Sequence, residues 1–451
     1  MKKLASILKN KEIMNRILFT ILILFIFRIG AQITVPGVKL GDDLKDYLSG
    51  NNALSLMNLL GGGTLQTFSI FALGVSPYIT AQIIIQLLST DVLPALTELK
   101  RQGQTGRRKM EMTTRYLTLM LGAVQAYGII KTMESSSYIT FETGTYPWLT
   151  YIYIIVVMMA GSMLVMWLGD QISVKGIGNG ISMIIFAGCV SSLPSQISTA
   201  FTKWILETTG RGDAAQITGV FQFVLYVLCF LVIIAFVTFI ELSQRKIPVQ
   251  SAGKSGGQTQ SMSRANFLPI KLNSAGVIPV IFASSILLAP SVIAAFISED
   301  AANANWLGIF NTSQMYDMGS WSMPWGLIIY VILTIAFTFF YANVQINPQQ
   351  LAENFQKNGS YIPGIRPGIE TERYIRKVLN RVSTIGALAL AFIAALPNIL
   401  ILTGVFGSES SLALGGTGLI IIVGVCLELN NQIDGLLAGK SFDEVVASGG
   451  R

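Results

Sequence analysis

The amino-acid sequence predicts an all-α polytopic membrane protein with about ten transmembrane helices in two inverted five-helix halves. Of its 451 residues, 52% are hydrophobic and only 12% are charged, whereas soluble domains carry roughly 25% charged residues. The apolar residues form long runs such as 151–168 and 221–240, and a helix needs about 20 apolar residues to span the hydrocarbon core. These runs lack the alternation of transmembrane β-strands, so a β-barrel is not predicted.

Counting the apolar runs gives ten candidate spans, of which the second and the seventh are interrupted by Gly and Pro near their start. The Lys-rich N-terminal segment 1–16 leads into the first run without a small-residue cleavage site, so no cleavable signal peptide is expected. The predicted spans are residues 17–36, 68–89, 114–133, 149–168, 181–200, 217–240, 275–297, 324–345, 382–403 and 412–429.

The distribution of positive charge predicts the orientation of these spans. Most of the 31 Lys and Arg residues fall in the amphipathic segment 1–16, in the loops that follow even-numbered spans and in the tail 430–451. Positive charge is retained on the cytoplasmic side, so both termini are predicted to be cytoplasmic. Two of the cytoplasmic loops, residues 241–273 and 346–381, are long and basic.

A short external segment precedes the second span. Residues 39–63 are polar and Gly-rich, and they end in Leu56-Met57-Asn58-Leu59-Leu60 followed by three glycines. This segment is too short to span a membrane and too apolar for an ordinary loop. It is either an interfacial helix or a re-entrant segment inside a cavity, since irregular backbone at membrane depth must be shielded from lipid.

An internal repeat relates the two halves, residues 17–200 and 217–429. The second span opens with Gly74–Ala81 and the seventh with Gly276–Ala283, and five of the eight positions are identical at a constant separation of 202 residues. Because the two spans lie five apart, the halves are expected to have opposite membrane orientations. Inverted repeats with Gly- and Pro-broken helices at matching places indicate a transport pathway between the halves.

The residue types present argue against an enzyme. The chain contains no histidine, which excludes His-based acid–base catalysis and the usual zinc sites. Two Gly-Lys-Ser sequences, at 253–255 and 439–441, lack the earlier glycine of a phosphate-binding loop, and a G-x-S-x-G match at 253–257 has no histidine to act as its base. The cysteines are interpreted as small buried apolar residues: Cys189, Cys229 and Cys426. We therefore expect no catalytic residues, no cofactor and no metal.

An ion-coupled secondary transporter with an inverted-repeat fold is the alternative. Such carriers use acidic residues near the middle of the membrane, whereas Asp170, Glu241 and Glu428 lie at the ends of predicted spans. Arg28 is the charge placed well inside a span. We expect it to face the protein interior in a structural role, with a partner that the sequence does not identify.

Short motifs in a fixed order resemble those of the SecY/Sec61-alpha family over nearly the whole chain. They are Phe27-Arg28-Ile29-Gly30 with Val35-Pro36-Gly37, Phe71–Ile79, Gly106-Arg107-Arg108-Lys109, Trp167–Ile172, Gly176–Ser182, Leu268-Pro269 with Lys271, Gly276–Ser285, Ile346-Asn347-Pro348, Pro363–Gly368 and Gly415-Gly416-Thr417. The resemblance implies a protein-conducting channel of the general secretory pathway. It would pass unfolded secretory chains across the membrane. It would also release membrane helices laterally, through an opening between spans 2 and 7 that spans 3 and 8 flank.

The resemblance also implies the residues of the channel. The external segment corresponds to a plug at about 53–65, with Leu56, Met57, Leu59, Leu60, Gly61 and Gly62 at its apolar end. The pore constriction carries over to Val75, Ile79, Ile185, Ile281, Ile286 and Ile421. A ring of aliphatic side chains suits this role, because it excludes water and ions when empty and yields around a peptide.

The basic cytoplasmic loops are the implied docking surface, suited to ribosomal RNA phosphates and to acidic patches of a motor protein. The implied partners are SecE, SecG, the SecA ATPase, the ribosome, signal peptides and nascent polypeptides, in the lipid bilayer of the bacterial inner membrane. The docking residues are Arg107, Arg108, Lys109, Arg245, Lys246, Arg264, Arg366, Arg373, Arg376 and Lys377.

Overall fold

The structure of the protein is a computed structural model. It describes residues 10–41, 58, 61–89, 94–135, 139–141, 147–206, 213–251, 266–297, 305–312, 315–317, 322–402 and 416–448.

The described chain folds predominantly into helices, which confirms the predicted all-α class. They are α1 (Lys11–Gly30), α2 (Ser76–Leu88), α3 (Pro94–Arg101), α4 (Gln104–Ser135), α5 (Pro147–Lys175), α6 (Gly180–Phe201), α7 (Asp213–Leu242), α8 (Ile278–Ile297), α9 (Trp325–Gln345), α10 (Pro348–Lys357), α11 (Ile369–Leu402) and α12 (Gly416–Ser448). A π-helical turn, Thr202–Leu206, extends α6, and a 3₁₀-helix covers Asn305–Phe310. Each predicted span overlaps one of these helices, although residues 31–36 of the first span and 68–75 of the second are not helical, and α3 and α10 lie in loops predicted to be cytoplasmic.

Seven of the helices in the described part of the chain are long and apolar enough to cross a membrane, namely α1, α5, α6, α7, α9, α11 and α12. Of the two repeat helices, α2 has 13 residues and α8 has 20. The third predicted span overlaps α4, which has 32 residues and begins in the basic sequence around Arg108. The protein is therefore a multi-pass membrane protein.

The internal repeat is visible in the backbone. The helices α2 and α8 begin at Ser76 and Ile278, at the same separation of 202 residues as the sequence match. Both follow a glycine with positive φ, +53° at Gly74 and +65° at Gly276. Proline then occupies the second helical position, where its missing N–H has no intrahelical partner to lose.

Apolar packing occurs in separate clusters. One holds the second half together around Tyr226, Tyr330 and Leu390, and another lies at the external end of the first half around Phe68 and Ile130. The third, which we name the central cluster, joins side chains of α1, α2, α5 and α6 to side chains of α8, α9 and α12. It is therefore built by both halves.

The two long basic loops form one small domain. Strand β3 (Gln244–Ser251) pairs antiparallel with β4 (Asn266–Lys271) and with β7 (Ser360–Tyr361). The side chains beneath this sheet form a fourth cluster, the loop core, which consists of Ile247, Ile270, Ile362, Ile375, Val378, Leu379 and Val382. The sequence does not predict this association of the two loops, because β3 and β7 lie more than 100 positions apart.

Two further strand pairs lie outside the sheet of the basic loops. Strands β1 (Val38–Leu40) and β2 (Ile139–Phe141) pair antiparallel and connect the loop after the first span with the loop after the third. Strands β5 (Tyr316–Asp317) and β6 (Ser322–Met323) pair between the seventh and eighth spans.

Candidate functional site

The central cluster contains most of the predicted pore residues. Val75, Ile79, Ile185 and Ile421 are all buried in it, with exposed fractions of 2–8%. Ile281 is partly buried and packs against the same cluster. These five side chains come from α2 and its N-cap, α6, α8 and α12, so the structure brings aliphatic groups from both halves to one place.

Ile286 is not part of the central cluster. Its side chain is 39% exposed, although it lies on α8 together with Ile281. Five residues along an α-helix correspond to a rotation of about 140°, so Ile281 and Ile286 point in different directions from the same helix. The assignment of all six residues to one ring remains a prediction, and the geometry favours the other five.

The chemistry of the centre is apolar. The cluster consists of aliphatic and aromatic side chains with one thiol, Cys189, and no group of His, Cys, Asp or Glu suited to a metal occurs among the described residues. Phe282 of α8 packs edge-on against Tyr341 of α9, and the Tyr341 side chain hydrogen-bonds Gln86 of α2. A centre of this kind binds no particular ligand, and it excludes water when its side chains are in contact.

The described end of the predicted plug lies directly beside this centre. Gly61 and Gly62 are buried, whereas Leu56, Met57, Leu59 and Leu60 lie outside the described residues. Asn58 anchors the segment, since its side-chain oxygen accepts from the N–H groups of Leu65 and Gln66, at 3.2 and 3.1 Å. Its carbonyl accepts from the Gly63 N–H at 2.8 Å.

The chain between Gly61 and α2 is irregular, and its polar backbone groups are paired internally. The Val35 N–H donates to the Phe68 carbonyl at 3.0 Å, and the Ile70 N–H donates to the Ile33 carbonyl at 3.0 Å. Ser162 of α5 donates its hydroxyl to the Gly74 carbonyl at 2.9 Å. This pairing satisfies the requirement for non-helical backbone at membrane depth, and it agrees with the re-entrant interpretation of the segment.

Arg28 has a partner that the sequence did not identify. Its Nη1 group donates to the carbonyl of Gly62 at 2.7 Å. A Cβ at Gly62 would lie 2.7 Å from the Cα of Gly188, in α6. The described end of the segment therefore lies between α1 and α6.

A polar contact joins the two halves on the cytoplasmic side. The Gly178 N–H, in the turn between α5 and α6, donates to the side-chain oxygen of Gln432 in α12 at 2.8 Å. The preceding Ile177 N–H donates to the hydroxyl of Thr20 in α1 at 3.1 Å. The turn between α5 and α6 thus contacts both the first and the last helix.

The predicted docking residues of the basic loops lie on the small loop domain. Arg245 and Lys246 are exposed on β3, and Arg373, Arg376 and Lys377 are exposed on α11. Arg376 forms a 2.7 Å ion pair with Glu372 one turn earlier, so part of its charge is compensated locally. The loop core beneath them positions both sets on one body.

Arg366 lies on a turn between β7 and α11. Gly364 and Gly368 on either side have φ values of +83° and +106°. The Thr371 hydroxyl donates to the Arg366 carbonyl at 2.9 Å. The turn is therefore held by backbone geometry and backbone contacts, which leaves the guanidinium at the surface.

Three of the remaining predicted docking residues lie on α4, outside the loop domain. Arg107, Arg108 and Lys109 occupy the second turn of α4, where the side chains of Arg108 and Lys109 are exposed. Arg264 lies outside the described residues.

Two of the three carboxylates at the span ends, Asp170 and Glu241, have described structural partners, and Glu428 is exposed. Asp170 forms a 2.7 Å ion pair with Arg115, which joins α5 to α4. Glu241 accepts a 2.6 Å hydrogen bond from the Asn273 side chain, which also donates to the Gly276 carbonyl at 3.0 Å. These contacts fix helix ends and do not converge on an ion-binding site, so the geometry disfavours a carrier.

Sequence reasoning missed the polar side chains that satisfy the irregular backbone, such as Asn58, Ser162 and Gln432. A partial signal existed for two of them: Asn58 interrupts an apolar run, and Ser162 follows a glycine in the middle of the fourth span. Gln432 lies among other polar residues and carries no such signal.

The sequence is similar to a family of known channel proteins. The profile of the SecY family matches residues 69–430. The chain is 41% identical to the protein translocase subunit SecY of Mycoplasma capricolum subsp. capricolum, across 98% of this chain and 91% of that protein. It is 42% identical to the protein translocase subunit SecY of Streptococcus gordonii, across 98% of this chain and 97% of that protein.

Solved structures share the fold at lower sequence identity. A protein-conducting channel matches with a TM-score of 0.65 and 18% identity, covering 94% of this chain and 92% of that one. A SecY structure whose plug domain is described as stabilising the closed channel and maintaining a membrane seal matches at 0.64 and 17%, with the same coverage. Sec61 in the canine ribosome–channel complex matches at 0.62 and 17%, again with the same coverage.

Proposed function

This chain belongs to the SecY family of protein translocation channels, and on that premise we propose that it conducts unfolded secretory chains between its two halves and releases membrane helices sideways into lipid. The observation that carries the proposal is the central cluster, to which both halves contribute buried aliphatic side chains. A conduit for many different sequences needs such a centre, because specific polar ligands would retain some chains and reject others.

The constriction is proposed to be formed by Val75, Ile79, Ile185, Ile281 and Ile421, with Ile286 beside it. Four of these residues are buried in the central cluster and Ile281 packs against it. Apolar side chains in contact exclude water and therefore block ions. Aliphatic groups form no covalent or polar link between the halves, so they can separate around a peptide.

Residues 53–65 are proposed to be the plug. The burial of Gly61 and Gly62 next to α6 supports this assignment, as does the role described for the plug domain of the similar SecY structure. Deletion of residues 56–62 is expected to raise ion leakage less durably than changes in the constriction, since neighbouring chain can fill the funnel.

The lateral opening is proposed to lie where α8, the seventh span, packs against α2 and α4, the second and third spans. Phe282 of α8, Tyr341 of α9 and Gln86 of α2 meet at this junction. Phe282 and Tyr341 belong to the second half, so the side-chain hydrogen bond between Tyr341 and Gln86 is the described polar contact of this group that crosses to the first half, and a membrane helix can replace it as it leaves.

The cytoplasmic loop domain is proposed to dock the SecA ATPase and the ribosome. Its exposed Arg and Lys side chains suit RNA phosphates and acidic protein surfaces, and a ribosome-bound channel of the same fold is among the similar structures. SecE and SecG are the proposed membrane partners, and the bacterial inner membrane is the proposed location. Energy would come from SecA or from translation.

The test is reconstitution of the purified protein with SecE in lipid vesicles, followed by addition of a radiolabelled secretory precursor. We expect protease-protected precursor only when SecA and ATP are both present, and none in vesicles with SecE alone. Uptake of a small solute driven by an ion gradient, without any precursor movement, would instead support the carrier.

A further inference from the structure

Arg28 is a charged side chain whose described hydrogen bond goes to a backbone carbonyl. It lies in the last turn of α1 and is half-buried. Its Nη1 group donates to the Gly62 carbonyl at 2.7 Å, and none of the ion pairs between described residues includes Arg28. Partial burial of a charge costs free energy unless the charge is hydrogen-bonded. The bond to Gly62 therefore stabilises both the guanidinium and the chain at Gly62.

The position of Gly62 depends on close backbone contacts. Gly62 and Gly63 both have positive φ, +76° and +84°, which only glycine adopts without strain. At Gly62 a Cβ would lie 2.7 Å from the Cα of Gly188, whereas at Gly63 nothing lies within 4 Å. Gly62 therefore fits against α6 at a distance that no side chain allows.

Neither Gly61 nor Gly62 has a side chain with which to anchor itself. Asn58 bonds within the segment and Gly61 lies beside Gly74, whereas Gly62 itself meets the Arg28 guanidinium on one side and the Gly188 backbone on the other. A hydrogen bond from a charged donor is about twice as strong as a neutral one. The last turn of α1 also favours a positive charge, because the helix C-terminus carries partial negative charge.

We infer that Arg28 is a positioning residue that holds the end of segment 53–65 between α1 and α6 in the resting channel, and that opening must break its bond to Gly62. This inference rests on the proposed plug function of that segment. Loss of the bond should leave the side chains of the constriction unaltered. Residues 61–65, the described end of the proposed plug, should then leave their position more often.

A cysteine at position 64 can be used to measure how often the end of the segment leaves its buried position. The Thr64 side chain is fully buried, so a Thr64→Cys variant should be protected from an impermeant maleimide added from the external side. In a background with Cys189, Cys229 and Cys426 replaced by Ala, the labelling rate measures how often the segment leaves its position. The conductance of the same protein in a planar bilayer measures whether that departure opens a path for ions.

In this background, Arg28→Met should increase the labelling rate about tenfold to a hundredfold, the effect of losing one hydrogen bond from a charged donor. Arg28→Lys keeps a charged donor and should restore most of the protection. Gly62→Ala should increase labelling more than Gly63→Ala, because both substitutions strain the backbone equally and only the first meets Gly188. Size-exclusion profiles verify that each variant is folded.

Unchanged labelling in Arg28→Met, or equal labelling in Gly62→Ala and Gly63→Ala, would overturn the inference. Faster labelling without any rise in resting conductance would support the role of Arg28 and reject the plug function. Faster labelling together with ion leakage supports both.

Discussion

Gly74 and Gly276, 202 residues apart, have positive φ values of +53° and +65°, and each lies two residues before a helix of the repeat, α2 or α8. Their surroundings differ. A Cβ at Gly74 would lie 3.3 Å from the Cα of Gly61, and a Cβ at Gly276 would meet nothing within 4 Å. The repeat therefore preserves a backbone turn, whereas among the described residues it is the first half that packs the end of the proposed plug, at Gly61, against this turn.

This difference predicts unequal effects of alanine at the two positions. The left-handed conformation costs an L-residue about 1–2 kcal/mol, so both substitutions should destabilise the protein. Gly74→Ala should lower the melting temperature more than Gly276→Ala, because its Cβ also crowds Gly61. Gly435→Ala, in α12 with open space around it, is the control and should not lower it. Thermal unfolding in detergent provides the measurement, and equal shifts for the first two variants would contradict the prediction.

Polar substitution in the central cluster should open it to ions. We expect the double variant Ile79→Asn with Ile281→Asn to conduct in a planar bilayer without precursor or motor, because water gains hydrogen-bonding partners at the constriction. The wild-type protein should be nearly silent. Ile286→Asn is the matched control on the same helix, and it should stay silent because that side chain lies outside the cluster. A silent, folded double variant would mean that Ile79 and Ile281 are ordinary core residues.

Charge reversal at Arg366 should block motor-driven translocation without unfolding the loop domain. The turn is held through the Arg366 carbonyl and two glycines, neither of which depends on the guanidinium. Arg366→Glu should therefore keep normal protein levels and SecE association while SecA-driven translocation falls steeply. Lys357→Glu, at the end of α10, provides a control for charge alone. Normal translocation by Arg366→Glu would remove this residue from the docking surface.

The Gly178–Gln432 contact should contribute to the cohesion of the two halves. Replacing Gln432 by Leu removes the acceptor for the Gly178 N–H, and the loss of one hydrogen bond destabilises by about 0.5–1.5 kcal/mol. Gln432→Glu retains an acceptor oxygen and should unfold close to the wild-type temperature. If the two variants melt at the same temperature, the contact does not stabilise the protein.

The resemblance to the SecY/Sec61-alpha family and the ten spans could be predicted from short stretches of consecutive residues. Each predicted span overlaps a helix, and the two spans that Gly and Pro interrupt near their start contain α2 and α8, each of which begins two residues after a glycine with positive φ. The direction of Ile286 was also accessible in principle, since its separation from Ile281 by five residues places it on another face of α8. The family resemblance implies positions in the sequence and does not by itself give the direction of each side chain on its helix.

Hydropathy along the sequence by itself determined that the protein is a helical membrane protein, because partition into lipid depends on about 20 neighbouring residues at a time. The identities between residues 74–81 and 276–283 predicted the repeated pair of helices. Only the tertiary structure decided which polar groups satisfy the broken backbone. Arg28 meets Gly62 across 34 residues and Gly178 meets Gln432 across 254. Such bonds depend on where the packing of apolar helices brings distant segments together, and local composition does not contain that information.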